Sequence, residues 1–204
     1  NSNGAIDVSG KGYAGGAVSS NGYGPGGGQS GGSGGGYGGA GASSGAAAGG
    51  ITYGTKYLPV ELGSGGGGGV SSSGMAGGGA LKLKVEGALV VAGTISSNGA
   101  SIANNGGAGS GGSLIIESET LNCSGGTIVA NGGTSTSGGA GGGGRITYKA
   151  ETYNACGFMA VGVANVGTIV NIPNTPTNLV MQSRTTSSVI RSFIDRSFSK
   201  NNFY

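Results

Sequence analysis

The chain has 204 residues, of which 53 are glycine; only 8% are charged, histidine and tryptophan are absent, and the formal net charge is +3. That length accommodates one sizeable domain. Without histidine no Ser-His-Asp or Cys-His relay can be built, and the glycine lacks the every-third-residue period with proline that a collagen triple helix requires. So few charges cannot keep a lone cytosolic enzyme soluble in the usual way, and they suit an extracellular, assembled setting.

In chain order, residues 4–10 (Gly-Ala-Ile-Asp-Val-Ser-Gly) read as a short strand in which Ile6 matches later isoleucines. A long glycine-rich excursion follows, from about Lys11 to Gly79, with Tyr13, Tyr23, Tyr37, Tyr53 and Tyr57 scattered through it. Its single apolar run is Tyr57-Leu58-Pro59-Val60-Glu61-Leu62. Segments without side chains can lie side by side as extended polyproline-II strands, bonded backbone to backbone. The alternative is an ordinary solvated loop.

A repeat then emerges. Gly93-Thr94-Ile95-Ser96-Ser97-Asn98-Gly99 aligns with Gly126-Thr127-Ile128-Val129-Ala130-Asn131-Gly132 at an offset of 33 residues. The same offset carries Ala80–Glu86 onto Ser113–Glu119, and an offset of 32 reaches Arg145–Glu151. A fixed period of this size means stacked units, because one unit alone cannot bury its apolar face. Within each unit, Leu81, Leu83 and Val85, or Leu114 and Ile116, alternate at the period of a strand. A second strand surrounds Leu89 or Leu121, and Gly-Thr-Ile forms a third, with Gly167-Thr168-Ile169 as its last copy. Glycine-rich loops at 100–112 and 133–144 then leave from one corner. The expected fold is all-β: a parallel β-helix over residues 1–172, with stacked polyproline-II-like loops and a tail over 173–204.

Several columns follow from this register. Cys123 and Cys156 lie 33 residues apart, so they either pair as a disulfide in an oxidising compartment or stand as two buried thiols. Lys84, Glu117 and Lys149 alternate in sign. Glu86, Glu119 and Glu151 stack like charges, which solvent, a raised pKa, Ca²⁺ or a partner's cation must relieve. Thr94, Thr127 and Thr168 would form one short ladder of the kind ice binding requires. Asn122-Cys123-Ser124 matches a glycosylation acceptor, and its place in a strand makes it incidental.

In the tail, Val189, Ile190, Phe193, Ile194 and Phe198 fall at helical spacing, and Arg191 is placed to pair with Asp195. With Arg191 and Arg196 these are the assembly candidates. Tyr13, Tyr23 and Tyr37 are the surface-binding candidates, since an apolar ring with a polar tip makes a good contact. No catalytic residue, cofactor site, membrane span or nucleic-acid surface is expected.

The ordered motifs Gly-Ala80-Leu81-Lys82-Leu83, Gly-Thr-Ile-Ser96-Ser97-Asn98, Gly-Gly-Ser113-Leu114-Ile115-Ile116 and Gly-Arg145-Ile146-Thr147-Tyr148 resemble glycine-rich, pectin-lyase-like β-helix modules of microbial extracellular and surface proteins. The resemblance covers about residues 1–170. It implies a right-handed β-helix and a structural or adhesive role, and it transfers no catalytic residue. Pro173–Leu179 with Ser187-Ser188-Val189 is similar to the entry of a fibronectin type III domain, although Arg191 stands where an apolar residue belongs. The excursion resembles, in composition, the bundles of springtail antifreeze proteins and some phage tail-fibre adhesins. Two roles are therefore expected: a subunit of an extracellular filament or surface assembly, a homo-oligomer or helical homopolymer; or an adhesin for carbohydrate or another surface.

Overall fold

The computed structural model describes residues 4–173 except 124, 155 and 164. Among these residues the protein is all-β, with eleven strands and no helix: β1 Ala5–Asp7, β2 Ala80–Lys84, β3 Ala88–Val90, β4 Thr94–Ser96, β5 Ser113–Glu117, β6 Thr120–Asn122, β7 Thr127–Val129, β8 Arg145–Lys149, β9 Thr152–Asn154, β10 Gly157–Met159 and β11 Thr168–Asn171. The chain divides at Asn174 into a first unit, Asn1–Asn174, and a second, Thr175–Tyr204. The seven assembly candidates from Val189 to Phe198 and the fibronectin-like segment lie outside the described residues.

The strands form three sheets, ordered β1-β4-β7-β10, β2-β5-β8-β11 and β3-β6-β9, and every pairing is parallel. Each pass of the chain visits the second sheet, then the third, then the first. The 33-residue offset is the register itself: Leu81 pairs with Leu114, Leu89 lies within one residue of that offset from its partner Leu121, and Ile95 pairs with Ile128. Ile6 pairs with Ile95 as its sequence context implies.

Apolar side chains of successive passes stand above one another. Leu114, Ile146, Ile116, Leu121, Ile95 and Ile128 are buried in one cluster, with Leu81, Leu83, Leu89 and Phe158 packed against it. Tyr148 stacks on Phe158 at 4.5 Å and meets Tyr153 edge-on at 5.4 Å, so aromatic rings fill the core at the last pass. Full burial of one such aliphatic side chain contributes about 1.5–3 kcal/mol.

One strand assignment needs correction. The fourth strand of the Gly-Thr-Ile sheet is β10, Gly157-Phe158-Met159, which pairs with β7. Gly167-Thr168-Ile169 instead begins β11, where Thr168 pairs with Arg145 and Ile169 with Ile146 in the second sheet. Phe158 supplies the inward apolar group there, so the motif is not needed for the stacking. Thr168 therefore leaves the threonine ladder. Thr94 and Thr127 remain, with their hydroxyls 3.3 Å apart.

Candidate assembly and binding surfaces

Cys123 and Cys156 form a disulfide, with α-carbons 4.7 Å apart, tying two adjacent passes together. The charged columns stack as the register requires, Lys84 against Glu117 and Glu117 against Lys149. The ion pair formed is a different one, Lys82 Nζ to Glu117 Oε1 at 2.8 Å. Among the described residues no group of three acidic, histidine or cysteine side chains is placed to hold a metal ion. Glu86, Glu119 and Glu151 form no such group.

The glycine-rich excursion is a hydrogen-bonded bundle, not a solvated loop. The segment 107–112 lies at its centre. Gly107 and Ser110 donate to Gly67 and Ser64, Ala108 and Gly111 to Gly139 and Gly142, and Gly109 and Gly112 to Ala100 and Ser97, all at 2.8–3.1 Å. The donor direction thus returns every third residue, and three different segments receive the bonds. Such proximity excludes side chains: a Cβ on Gly109 would fall inside the carbonyl oxygen of Ala76.

Side-chain amides and hydroxyls lock the bundle to the sheets. Ser9 Oγ accepts from the Asn98 amide at 2.9 Å, Asn98 Oδ1 from the Asn131 amide at 2.8 Å, and Asn131 Oδ1 from the Val161 amide at 2.9 Å. This ladder repeats where the chain leaves each strand of the first sheet. The repeated Ser/Ala-Asn-Gly in the aligned motifs was its sequence signal. Ser64 is a second hub: its Oγ accepts from Gly26 N at 3.0 Å and donates to Tyr53 Oη at 2.9 Å, and its amide donates to Ser110 Oγ at 2.8 Å. A single serine within a glycine run is a thin signal.

The tyrosine candidates separate. Tyr37 is 0% exposed and is not a binding residue. Its hydroxyl donates to Ser113 Oγ at 2.6 Å, and Ser113 in turn donates to the Glu61 carbonyl at 2.5 Å. Its ring meets Tyr53 at 4.8 Å and lies under the Arg145 guanidinium at 5.2 Å. Burial is the main reason its pKa is pushed up to about 12. Tyr53 is pushed up as well, again chiefly by burial.

The apolar run Tyr57–Leu62 forms no strand. The segment around it is a clasp over the outer face of the second sheet: Arg145 Nη2 donates to the Tyr53 carbonyl at 2.8 Å, Thr147 Oγ1 to the Lys56 carbonyl at 2.9 Å, and Pro59 is fully buried.

Tyr13 and Tyr23 remain available, 36% and 63% exposed. They are neighbours: the Tyr23 amide donates to the Ala14 carbonyl at 3.1 Å, and the Tyr13 ring covers Gly24.

Among the described residues, β1, β2 and β3 at one end of the sheets and β9, β10 and β11 at the other each have an edge with no neighbouring strand. At the first end, Ile6, Leu83, Leu89 and Ile95 line an open pocket of about 260 Å³. At the last end, Ile169 on β11 and Tyr153 on β9 are exposed, beside the stacked aromatics. Asp7 sits on the first edge, where hydrogen bonds from Ser9 and Ser96 hold its carboxyl below the usual range.

Comparison with family models, with curated proteins and with solved structures finds no match to this chain. Among the described residues no helix is long and apolar enough to cross a membrane.

Proposed function

We propose that this chain is a structural subunit of an extracellular filament or surface assembly, polymerising through the two ends of its stacked sheets and through the C-terminal tail. In this reading the passes form a right-handed parallel β-helix akin to the pectin-lyase-like modules of microbial surface proteins. The three-residue return of the donors in 107–112 is the pitch of polyproline II, so the arms form a polyproline-II bundle beside the helix.

The observation that carries the assembly role is the pair of open ends. Among the described residues every sheet stops on strands with an unpaired edge, and such edges recruit further strands. The disulfide supports an oxidising, extracellular compartment. Negative-stain microscopy of the full chain tests the role, with unbranched filaments as the expected result. Deleting residues 179–204 is expected to abolish them while the Cys123–Cys156 bond still forms. Filaments that survive the deletion rule out tail docking.

The adjacency of exposed Tyr13 and Tyr23 favours a second reading, an adhesin for a carbohydrate surface. Glycan binding by a strictly monomeric protein, lost in Tyr13→Ala and Tyr23→Ala, would move the conclusion there.

A further inference from the structure

The two ends of the sheets differ by a step, and the steps fit each other. The first sheet begins one layer early, because β1 lies beyond β4, whereas among the described residues no strand lies beyond β2 or β3. The second sheet ends one layer late, because β11 lies beyond β8, whereas among the described residues no strand lies beyond β9 or β10. Place a second copy on the last end so that its β1 follows β10. Its β2 then falls directly on β11, so two of the three sheets continue without a gap. In the third sheet no described strand occupies the one position between β9 and the next copy's β3.

We infer that copies of this chain join head to tail in this register, with β10 pairing with β1 and β11 with β2 of the next copy. The inference rests on the assembly reading and gives it a geometry. Residue columns continue across the joint. Phe158 follows the column Ile6, Ile95, Ile128, so it meets Ile6 of the next copy. Ile169 ends the column Leu81, Leu114, Ile146, so it meets Leu81 of the next copy. Ile6 and Ile169, the end members of columns whose inner members Ile95, Ile128, Leu114 and Ile146 are buried, are 43% and 44% exposed in the single chain. The first end offers an open apolar pocket of about 260 Å³, and the last end presents Phe158 and Tyr153.

The joint fixes a length. Each copy adds four layers to the first and second sheets, so the axial rise per copy is about 19 Å at a strand spacing of about 4.8 Å. It also places Val170 beside Lys82 of the next copy, on the outer face. In-register neighbours on parallel strands fall within disulfide reach.

The full chain carrying both Val170→Cys and Lys82→Cys is oxidised and run on a non-reducing gel. A ladder of covalent multimers is expected. Mixing the two single variants should stop at dimers, and either single variant alone should give none. Ile169→Asp should raise the critical concentration for filaments by roughly a hundredfold or more, because the joint would bury an unpaired charge, while the native disulfide and β signal persist. Filaments without the ladder, with a rise other than about 19 Å, or with cross-links in Val170→Cys alone overturn this joint and leave the assembly reading standing. A chain that sediments as a monomer at every concentration and shows no filaments overturns the assembly reading itself.

Discussion

Gly109→Ala tests the bundle at its most enclosed point. The added Cβ would overlap the Ala76 carbonyl oxygen, whereas an ordinary contact needs 3.4 Å or more. The neighbouring segment cannot yield freely. Ala76 accepts from Ala100 at 2.9 Å, Gly77 from Gly12 at 2.7 Å, and Gly78 donates to Ser110 at 2.8 Å. Moving it by an ångström weakens at least two of these bonds, each contributing about 1 kcal/mol net. Overpacking strain adds about 1–3 kcal/mol. The total, about 3–5 kcal/mol, lowers Tm by roughly 6–20 °C in a chain of this size. Gly157→Ala is the control. A Cβ there meets only Thr127 Cγ2 at 3.7 Å, so the variant should be neutral or gain about 0.4–1 kcal/mol from the stiffened unfolded chain. Urea unfolding followed by circular dichroism reads both. Equal stability in the two variants would refute the claim that absent side chains hold the bundle at its spacing.

Two further outcomes are expected. Reducing the Cys123–Cys156 bond, or changing both residues to serine, frees a 33-residue loop and should cost about 3–4 kcal/mol in the chain-entropy account; thiol titration of the native protein should find no free thiol. The raised Tyr37 pKa, about 12, has a definite sign. The folded state holds the phenolic proton more tightly than the unfolded one, whose value is about 10. That stability is fully present below pH 10 and is lost as pH rises from about 10 to 12, some 2–3 kcal/mol from this group. Urea midpoints across that window should fall less steeply in Tyr37→Phe, and identical slopes would exclude the buried phenol as a cause.

Much of the strand pattern was legible in the sequence because side chains wrote it. The columns Leu81–Leu114–Ile146 and Ile6–Ile95–Ile128 repeat the same chemistry at a fixed spacing, so the register could be read directly. The third pass broke the rule where the core replaced a motif with a different residue. Phe158 fills the position of Ile128 without a preceding Gly-Thr, and the true Gly-Thr-Ile, at Thr168, serves another sheet. The bundle was hardest to read. Glycine displays no periodic face, and the bonds that order it join residues tens of positions apart. Nothing local distinguishes buried Tyr37 from exposed Tyr23, since both sit in glycine runs. Only the folded chain brings Ser113 and Arg145 to Tyr37.

The charge on the sheet edges bears on the proposed assembly. Proteins that must stay monomeric guard open strands with lysine, proline or inward-pointing charge. Here six strands stand at sheet edges among the described residues, and they carry three charges: Asp7, Lys82 and Lys84. Two of the three are already engaged, Asp7 by Ser9 and Ser96, Lys82 by Glu117. The strands β3, β9, β10 and β11 carry none. A joint across these edges would bury backbone amides and apolar columns at little cost in desolvated charge. Its strength would then depend weakly on salt, unlike an assembly held by surface ion pairs.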